Sequence, residues 1–221
     1  MLDAASDDLT LDELAERLGP LLPVEAAFDG WTDAALAAAA RVLGVDEDRA
    51  RLAVSGGAVQ MIDLWFASID RAMTSRLPPA SLATMRIRQR ITALVWTRIE
   101  VIAPHREALR RALAVLALPQ HAPTALRLGW RSADLMWRLA GDHATGMAHY
   151  SKRATLAGVY ASTLLALLQE DGDDLGDVKA FLVRRIDQIM QFEKLKTKLR
   201  PNPERHFRLT RFLGRLRYPA R

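Results

Sequence analysis

The sequence predicts an all-α protein, and three features carry the prediction. No stretch alternates apolar and polar residues in the way a half-buried strand requires. Alanine and leucine abound while runs of Val, Ile and Thr are scarce, a balance that favours helix. Breaks rich in Gly and Pro recur at Pro78-Pro79, Pro104, Pro119 to Pro123, Gly141 to Gly146 and Gly172 to Gly176, cutting the chain into helices with short connections. At 221 residues, half of them hydrophobic, the chain suffices for one substantial core, or for a small domain beside a larger one.

Taken in order, Thr10 or Asp8 can cap the first helix, with Glu13 three residues after Thr10 in the spacing of a capping box. Pro20 and Pro23 divide LDELAERLGPLLPVEAAFDG into two short helices, the second ending at Gly30. Thr32 caps DAALAAAARVLG, which Gly44 closes. A short helix follows within DEDRARLAVSGG, then a long one, VQMIDLWFASIDRAMTSRL. This order is a helix-turn-helix layout. Further helices are expected near 80–102, 104–117, 122–141, 147–169, 175–199 and 203–217. The pattern suggests three parts: a helix-turn-helix-like unit over 11–77, an α-helical domain over 80–199, and an amphipathic helix over 203–217.

Composition excludes several chemistries. The absence of cysteine removes disulfides and thiolate sites and fits a reducing compartment. The acidic start MLDAASDDLTLDEL does not read as a signal or transit peptide, and no apolar run reaches the ~20 residues that span a bilayer. A cytoplasmic location, peripheral on the inner face of the membrane, is therefore expected. Net charge is +5, but from Lys194 onward ten basic residues face one acid, Glu204, leaving the first 193 mildly acidic. The candidate recognition helix opens with Asp46-Glu47-Asp48, three acids where phosphate would approach, so no nucleic-acid partner is expected and the helix-turn-helix reads as a packing unit. No glutamate has His three residues on, as a di-iron bundle site requires, and no two histidines stand four apart; no metal site, cofactor or catalytic residue is expected. Phosphate-cradle, dinucleotide and nucleophile-elbow motifs are missing as well.

Residues 134–171 form the most informative stretch. One apolar run, through Leu135, Met136, Leu139 and Ala140, ends at Gly141-Asp142, where glycine supplies a left-handed cap; a second, from Tyr150 to Leu168, is too apolar all round for a surface helix. The residues Asp134, Met136-Trp137, Ala140-Gly141-Asp142, Tyr150, Arg153, Leu156-Ala157, Tyr160, Thr163, Phe181-Leu182 and Arg185-Ile186 resemble the signature of the Coq-nine family of ubiquinone-biosynthesis proteins. The likeness extends back through Leu118-Pro119-Gln120-His121 to Gly30-Trp31-Thr32, and so covers roughly 11–192. Gly146 and Ala148 stand where the family tends to carry Asp and Asn, and His149 where eukaryotic members have Trp.

The resemblance implies a TetR-like fold that holds isoprenoid or phospholipid chains and docks the di-iron demethoxyubiquinone hydroxylase. It alone implies that 80–199 is a lipid-binding and dimerisation domain. It nominates Asp134, Met136, Trp137, His149, Tyr150 and Arg153 as partner-binding residues. Met136 and Trp137 are adjacent and lie about 100° apart on a helix, so they cannot both face one narrow core stripe. The apolar excess through Met61, Leu64, Trp65, Ile91, Leu94, Val95, Ile99, Leu113 and Leu116 either fills a core or lines a lipid pocket, and the residues alone leave both open.

In the tail, Leu209, Phe212, Leu213 and Leu216 recur at helical spacing with Arg208, Arg211 and Arg215 opposite and Phe207 flanking, a pattern that reads as a helix on an anionic membrane surface. Apolar surface on 147–169 and 175–199 suggests a homodimer. The function expected is a non-catalytic lipid-binding accessory that delivers a polyprenyl quinone intermediate to the hydroxylase. A TetR-like lipid-responsive transcriptional regulator is the alternative.

Overall fold

Thr10 and Glu13 open the chain as a reciprocal cap: the Glu13 backbone N–H donates to Thr10 Oγ1 at 3.3 Å and the Thr10 N–H to Glu13 Oε2 at 2.9 Å. From there the computed structural model, which describes residues 9–170, 172 and 174–199, consists of α-helices joined by short turns. The first four, α1 (Leu11–Leu18), α2 (Leu22–Asp29), α3 (Asp33–Leu43) and α4 (Glu47–Ala53), pack around Leu14, Leu18, Leu22 and Leu36. The alanine run of α3 explains their closeness: Ala35, Ala39 and Ala40 are completely buried, and their small side chains let neighbouring backbones approach. Trp31, in the turn before α3, donates its indole N–H to the Ala108 carbonyl at 3.1 Å and so ties this unit to the following helices.

The long α5 (Gly57–Arg76) runs through the middle and packs against α7 (Ile87–Ile102) and α9 (Ala122–Leu139). Between these lie α6 (Pro79–Ala83) and α8 (Arg106–Leu116), with short 3-10 turns before α8 and α9. α10 (Gly146–Gln169) folds back on α9, and α11 (Gly176–Leu199) follows. The described residues up to Val183 form one compact unit, and α11 continues from Arg184 as another. No single helix among the described residues is long and apolar enough to cross a membrane.

Two expectations need correction. The helix expected over 80–102 is two helices, because Arg86 adopts an extended backbone and Arg90 takes over the loose carbonyls, donating to Met85 O at 2.9 Å and Ala83 O at 3.3 Å. Thr32 holds the N-cap backbone position of α3, but its hydroxyl donates backward to Asp29 O at 3.1 Å instead of capping the helix. Gly141 has φ +83°, the left-handed conformation expected of it, and Arg90 reaches the adjoining Ala140 carbonyl at 2.9 Å. A single guanidinium thus closes the ends of both α6 and α9.

Candidate docking site

The hairpin of α9 and α10 is held by charge. Arg153 is buried; its Nε donates to Asp134 Oδ1 at 2.6 Å, and its Nη1 lies 3.4 Å from Asp142 Oδ2. Lys152 Nζ reaches Asp142 Oδ1 at 2.5 Å and sits 5.2 Å from the centroid of the Trp137 ring, while the Trp137 indole N–H donates to the Lys152 carbonyl at 3.0 Å. Burial pushes the Asp142 carboxyl up, but Lys152, the Ala144 backbone N–H and Arg153 outweigh it and hold the group below the usual carboxylate range.

This clamp fixes the outer face of the hairpin, where three rings gather. Tyr150 lies 5.9 Å from Trp130 and 5.2 Å from His149 between ring centroids, and His149 is 6.4 Å from Trp130. Tyr150 is 60% exposed, Met147 83% and Leu126, one turn before Trp130, 76%. An exposed aromatic and aliphatic cluster on a rigid hairpin has the composition of an interface centre.

The structure redistributes the residues expected to bind a partner. Tyr150 and His149 are on the outer face, and Trp137 is half-buried at the Lys152 clamp. Met136, expected on that face, is completely buried, because it shares the inward stripe of α9 with Leu128, Ser132 and Ala133. Arg153, also expected there, is committed to Asp134 and Asp142, and these three act as supports. Trp130, Met147 and Leu126 were not among the expected set. The signal that could have found Leu126 and Trp130 is their apolar i, i+4 spacing on a face of α9 away from its buried stripe.

The residues nominated for a lipid pocket are packed together. Met61, Trp65, Ile91, Leu94, Val95, Ile99 and Leu116 are buried, Leu64 and Leu113 half-buried, and Trp65 stacks on Trp31 at 5.4 Å. Beside this core, Arg98 of α7 is completely buried and bonds Asp70 of α5 and, at 3.0 Å, Ser132 Oγ of α9. Its Cζ lies 4.8 Å from the ring centroid of Tyr160 on α10. Arg131 bonds Asp63, which also takes Arg127 at 3.0 Å. A groove of about 440 Å³ opens nearby, lined by Asp70, Arg71, Thr74, Ser75 and Leu135.

In the helix-turn-helix-like unit, Asp46 Oδ1 caps α4 by accepting from the Asp48 and Arg49 N–H groups at 3.0 and 3.1 Å. Arg51 pairs with Asp48 and Glu47, and Arg49 donates to the Leu9 carbonyl. The residues expected at a membrane surface, Phe207 to Leu216, lie outside the described residues.

Residues 122–193, which contain the clamped hairpin, match the COQ9 family model. The mitochondrial ubiquinone biosynthesis protein COQ9 of Rattus norvegicus is 32% identical over 167 residues, 73% of this chain and 54% of that protein. The chain belongs to the COQ9 family. The corresponding protein of Homo sapiens is 30% identical over 167 residues, 73% of this chain and 52% of its own length. The chain therefore spans about half the length of the COQ9 relatives it matches. A solved structure shares the fold: the TetR transcriptional regulator from Nitrosomonas europaea ATCC 19718 superposes with a TM-score of 0.64 at 20% identity, covering 80% of this chain and 98% of that one. The fold of this COQ9-family chain is all-α and TetR-like.

Proposed function

We propose that this protein is a non-catalytic, lipid-binding accessory in ubiquinone biosynthesis that presents a polyprenyl quinone intermediate to the di-iron demethoxyubiquinone hydroxylase. The observation that carries this reading is the cluster of exposed Tyr150 with half-buried Trp130 and His149, on the hairpin that matches the family and clamped from behind by Arg153 and Lys152. Such rings, fixed before binding, lose little freedom when a partner covers them, and this preorganisation favours affinity.

The carrier role follows from solubility. A polyprenyl tail exposes a large apolar area to water, and shielding it stabilises the carried molecule by roughly 25 cal/mol per Å². The core around Trp65 and Leu94 is the volume into which a tail would insert, with helices separating as it enters. The basic segment 203–217 would bring the protein to the inner face of the cytoplasmic membrane, where each arginine near anionic lipid contributes ~1 kcal/mol. A homodimer completes the reading. α10 exposes Ala154, Gly158, Ala161 and Leu165 along one line, a smooth face on which a second helix can lie closely.

Two experiments test the reading. In a pull-down with the purified hydroxylase, the full chain should retain the enzyme and Tyr150→Ala should lose it; equal retention removes the docking site. In flotation with liposomes of graded anionic content, the full chain should float and fall away with salt, and Phe212→Glu should not float. Flotation of Phe212→Glu equal to that of the full chain removes the membrane helix.

A further inference from the structure

Between Asp70 and Glu100 the sequence holds six arginines and no acidic residue, although the whole chain carries 31 basic side chains against 26 acidic. Three of the six are committed to the fold. Arg98 is buried against Asp70, Arg90 is bound to backbone carbonyls, and Arg71 donates to the Glu16 carbonyl at 3.0 Å. Arg76, Arg86 and Arg88 are exposed around the turn that carries α6. From Arg76 to Arg86 runs LPPASLATM, nine residues without a charge. Pro78, Pro79, Ala80, Ser81, Ala83 and Thr84 are exposed, and Leu82 alone of the nine is buried. Ile87, just beyond Arg86, is 40% exposed.

A turn at the surface can leave its backbone groups to water. This one bonds them internally. Pro78 and Pro79 have no N–H to satisfy. The Ser81 and Leu82 N–H groups donate to the Pro78 carbonyl at 3.0 and 3.3 Å, and the Met85 N–H to the Leu82 carbonyl at 3.0 Å. The Thr84 hydroxyl donates to the Ser81 carbonyl at 3.0 Å, and Arg90 takes the Met85 and Ala83 carbonyls. A segment with its polar groups paired in this way loses little when it leaves water. A neutral centre bordered by arginines also matches the layering of a bilayer surface, where phosphate lies outside the acyl boundary. A protein partner fits less well, because interfaces centre on bulky anchors and the exposed side chains between Arg76 and Arg86 are all small.

We propose that the turn carrying α6, with Arg76 and Arg86 at its ends, is a membrane-contact surface that seats shallowly among the head groups of an anionic bilayer. It shares no residue with the segment 203–217 and goes beyond the contact proposed for that segment. Arg90 bonds both this turn and the Ala140 carbonyl, so the turn lies at the end of the bundle where α9 passes into α10. With that end on the bilayer, Tyr150, near the start of α10, stands beside the membrane.

The chain has no cysteine, so Ser81→Cys in the full chain accepts a single nitrobenzoxadiazole label. On vesicles of phosphatidylcholine with phosphatidylglycerol, its emission should shift to the blue and be quenched by lipids carrying a nitroxide near the head group. The same label on Ala34→Cys, exposed at the start of α3, should respond to neither. Arg76→Gln combined with Arg86→Gln should weaken vesicle partitioning about five-fold per arginine, about 25-fold together. Ala80→Glu puts an acid in the first turn of α6, where a helix accepts it, and should weaken partitioning as well. Ala34→Glu makes the same change of charge in the first turn of α3 and should leave partitioning unaltered. Vesicle binding with an unmoved label at position 81 overturns the proposal and leaves the tail contact intact. Equal weakening by Ala80→Glu and Ala34→Glu shows that net charge alone matters, and overturns it too. A wild type that does not bind the vesicles overturns both membrane contacts.

Discussion

Arg153 and Asp134 meet at 2.6 Å across the α9–α10 hairpin, with the guanidinium almost wholly removed from solvent. A buried charge of this kind does little for net stability while paired, yet it is strongly destabilising when left alone. Arg153→Ala leaves Asp134 and Asp142 without their shared cation, and Asp134→Ala weakens the hold on Arg153. Each should cost about 1–3 kcal/mol in urea unfolding, because Arg138 still meets Asp134, Lys152 still meets Asp142, and Asp142 still meets Arg153 when Asp134 is removed. Replacing both partners together with leucine and methionine should recover much of that loss, because no charge then remains unpaired. Additive losses in the double variant would show that the two do not act as a pair.

Tyr150 and Met136 should now behave differently. Met136 is enclosed on every side, so Met136→Lys forces an unpaired ammonium into the core and should prevent stable folding. Tyr150 stands on the surface, and Tyr150→Ala should change unfolding free energy by no more than ~1 kcal/mol, the value of its ring contacts. Its effect on hydroxylase binding should reach ~2 kcal/mol or more, as for aromatic residues at interface centres. Circular dichroism melts beside titrations with the hydroxylase separate the two outcomes.

Stability should depend on pH through His105. Burial lowers its pKa from the ordinary 6.5, and its ring packs edge-on against Trp65 at 6.5 Å. Above pH 6.5 the imidazole is neutral in folded and unfolded chains alike and adds no pH dependence. As pH falls below 6.5 the unfolded chain takes up the proton first, so stability declines until pH passes the folded value. His105→Gln should remove this slope. Asp142 acts in a lower window: its carboxyl is held below 3.8, so its contribution is intact above that pH and is lost as pH falls through the folded value. Urea titrations at a series of pH values read both.

Gly158 discriminates between a monomer and a dimer. It lies mid-helix in α10, where glycine costs ~1 kcal/mol relative to alanine, and an added Cβ would meet nothing within 4 Å among the described residues. The described residues offer no reason for a glycine there; the homodimer proposed above would supply one, in a second α10 lying close. Gly158→Ala should therefore raise the stability of the separated subunit while weakening association, and Leu165→Glu should separate the subunits outright. Light scattering across micromolar concentrations checks this. A wild type that is monomeric throughout removes the dimer.

Much of this architecture is legible locally. The Thr10–Glu13 cap, the Gly141 turn and the alanine-rich α3 depend on neighbours a few residues apart, and the structure contains them where their spacing requires. What stays hidden depends on distant partners. Arg90 ends α6 while bonding Ala140, fifty residues on, and no feature near residue 85 announces the break. The adjacency of Met136 and Trp137 shows that one must leave the core stripe, but only the packing of α10 determines which. Arg98 looks like any helical arginine until Asp70, Ser132 and Tyr160 surround it.

Mass spectrometry of lipids released from freshly purified full-length protein tests most directly whether the fold carries a lipid. An isoprenoid quinone precursor or a phospholipid should appear at close to one molecule per chain, and its amount should fall when the core is filled by Leu94→Trp. Protein that emerges lipid-free, and stays so after incubation with quinone-loaded membranes, would contradict the carrier function.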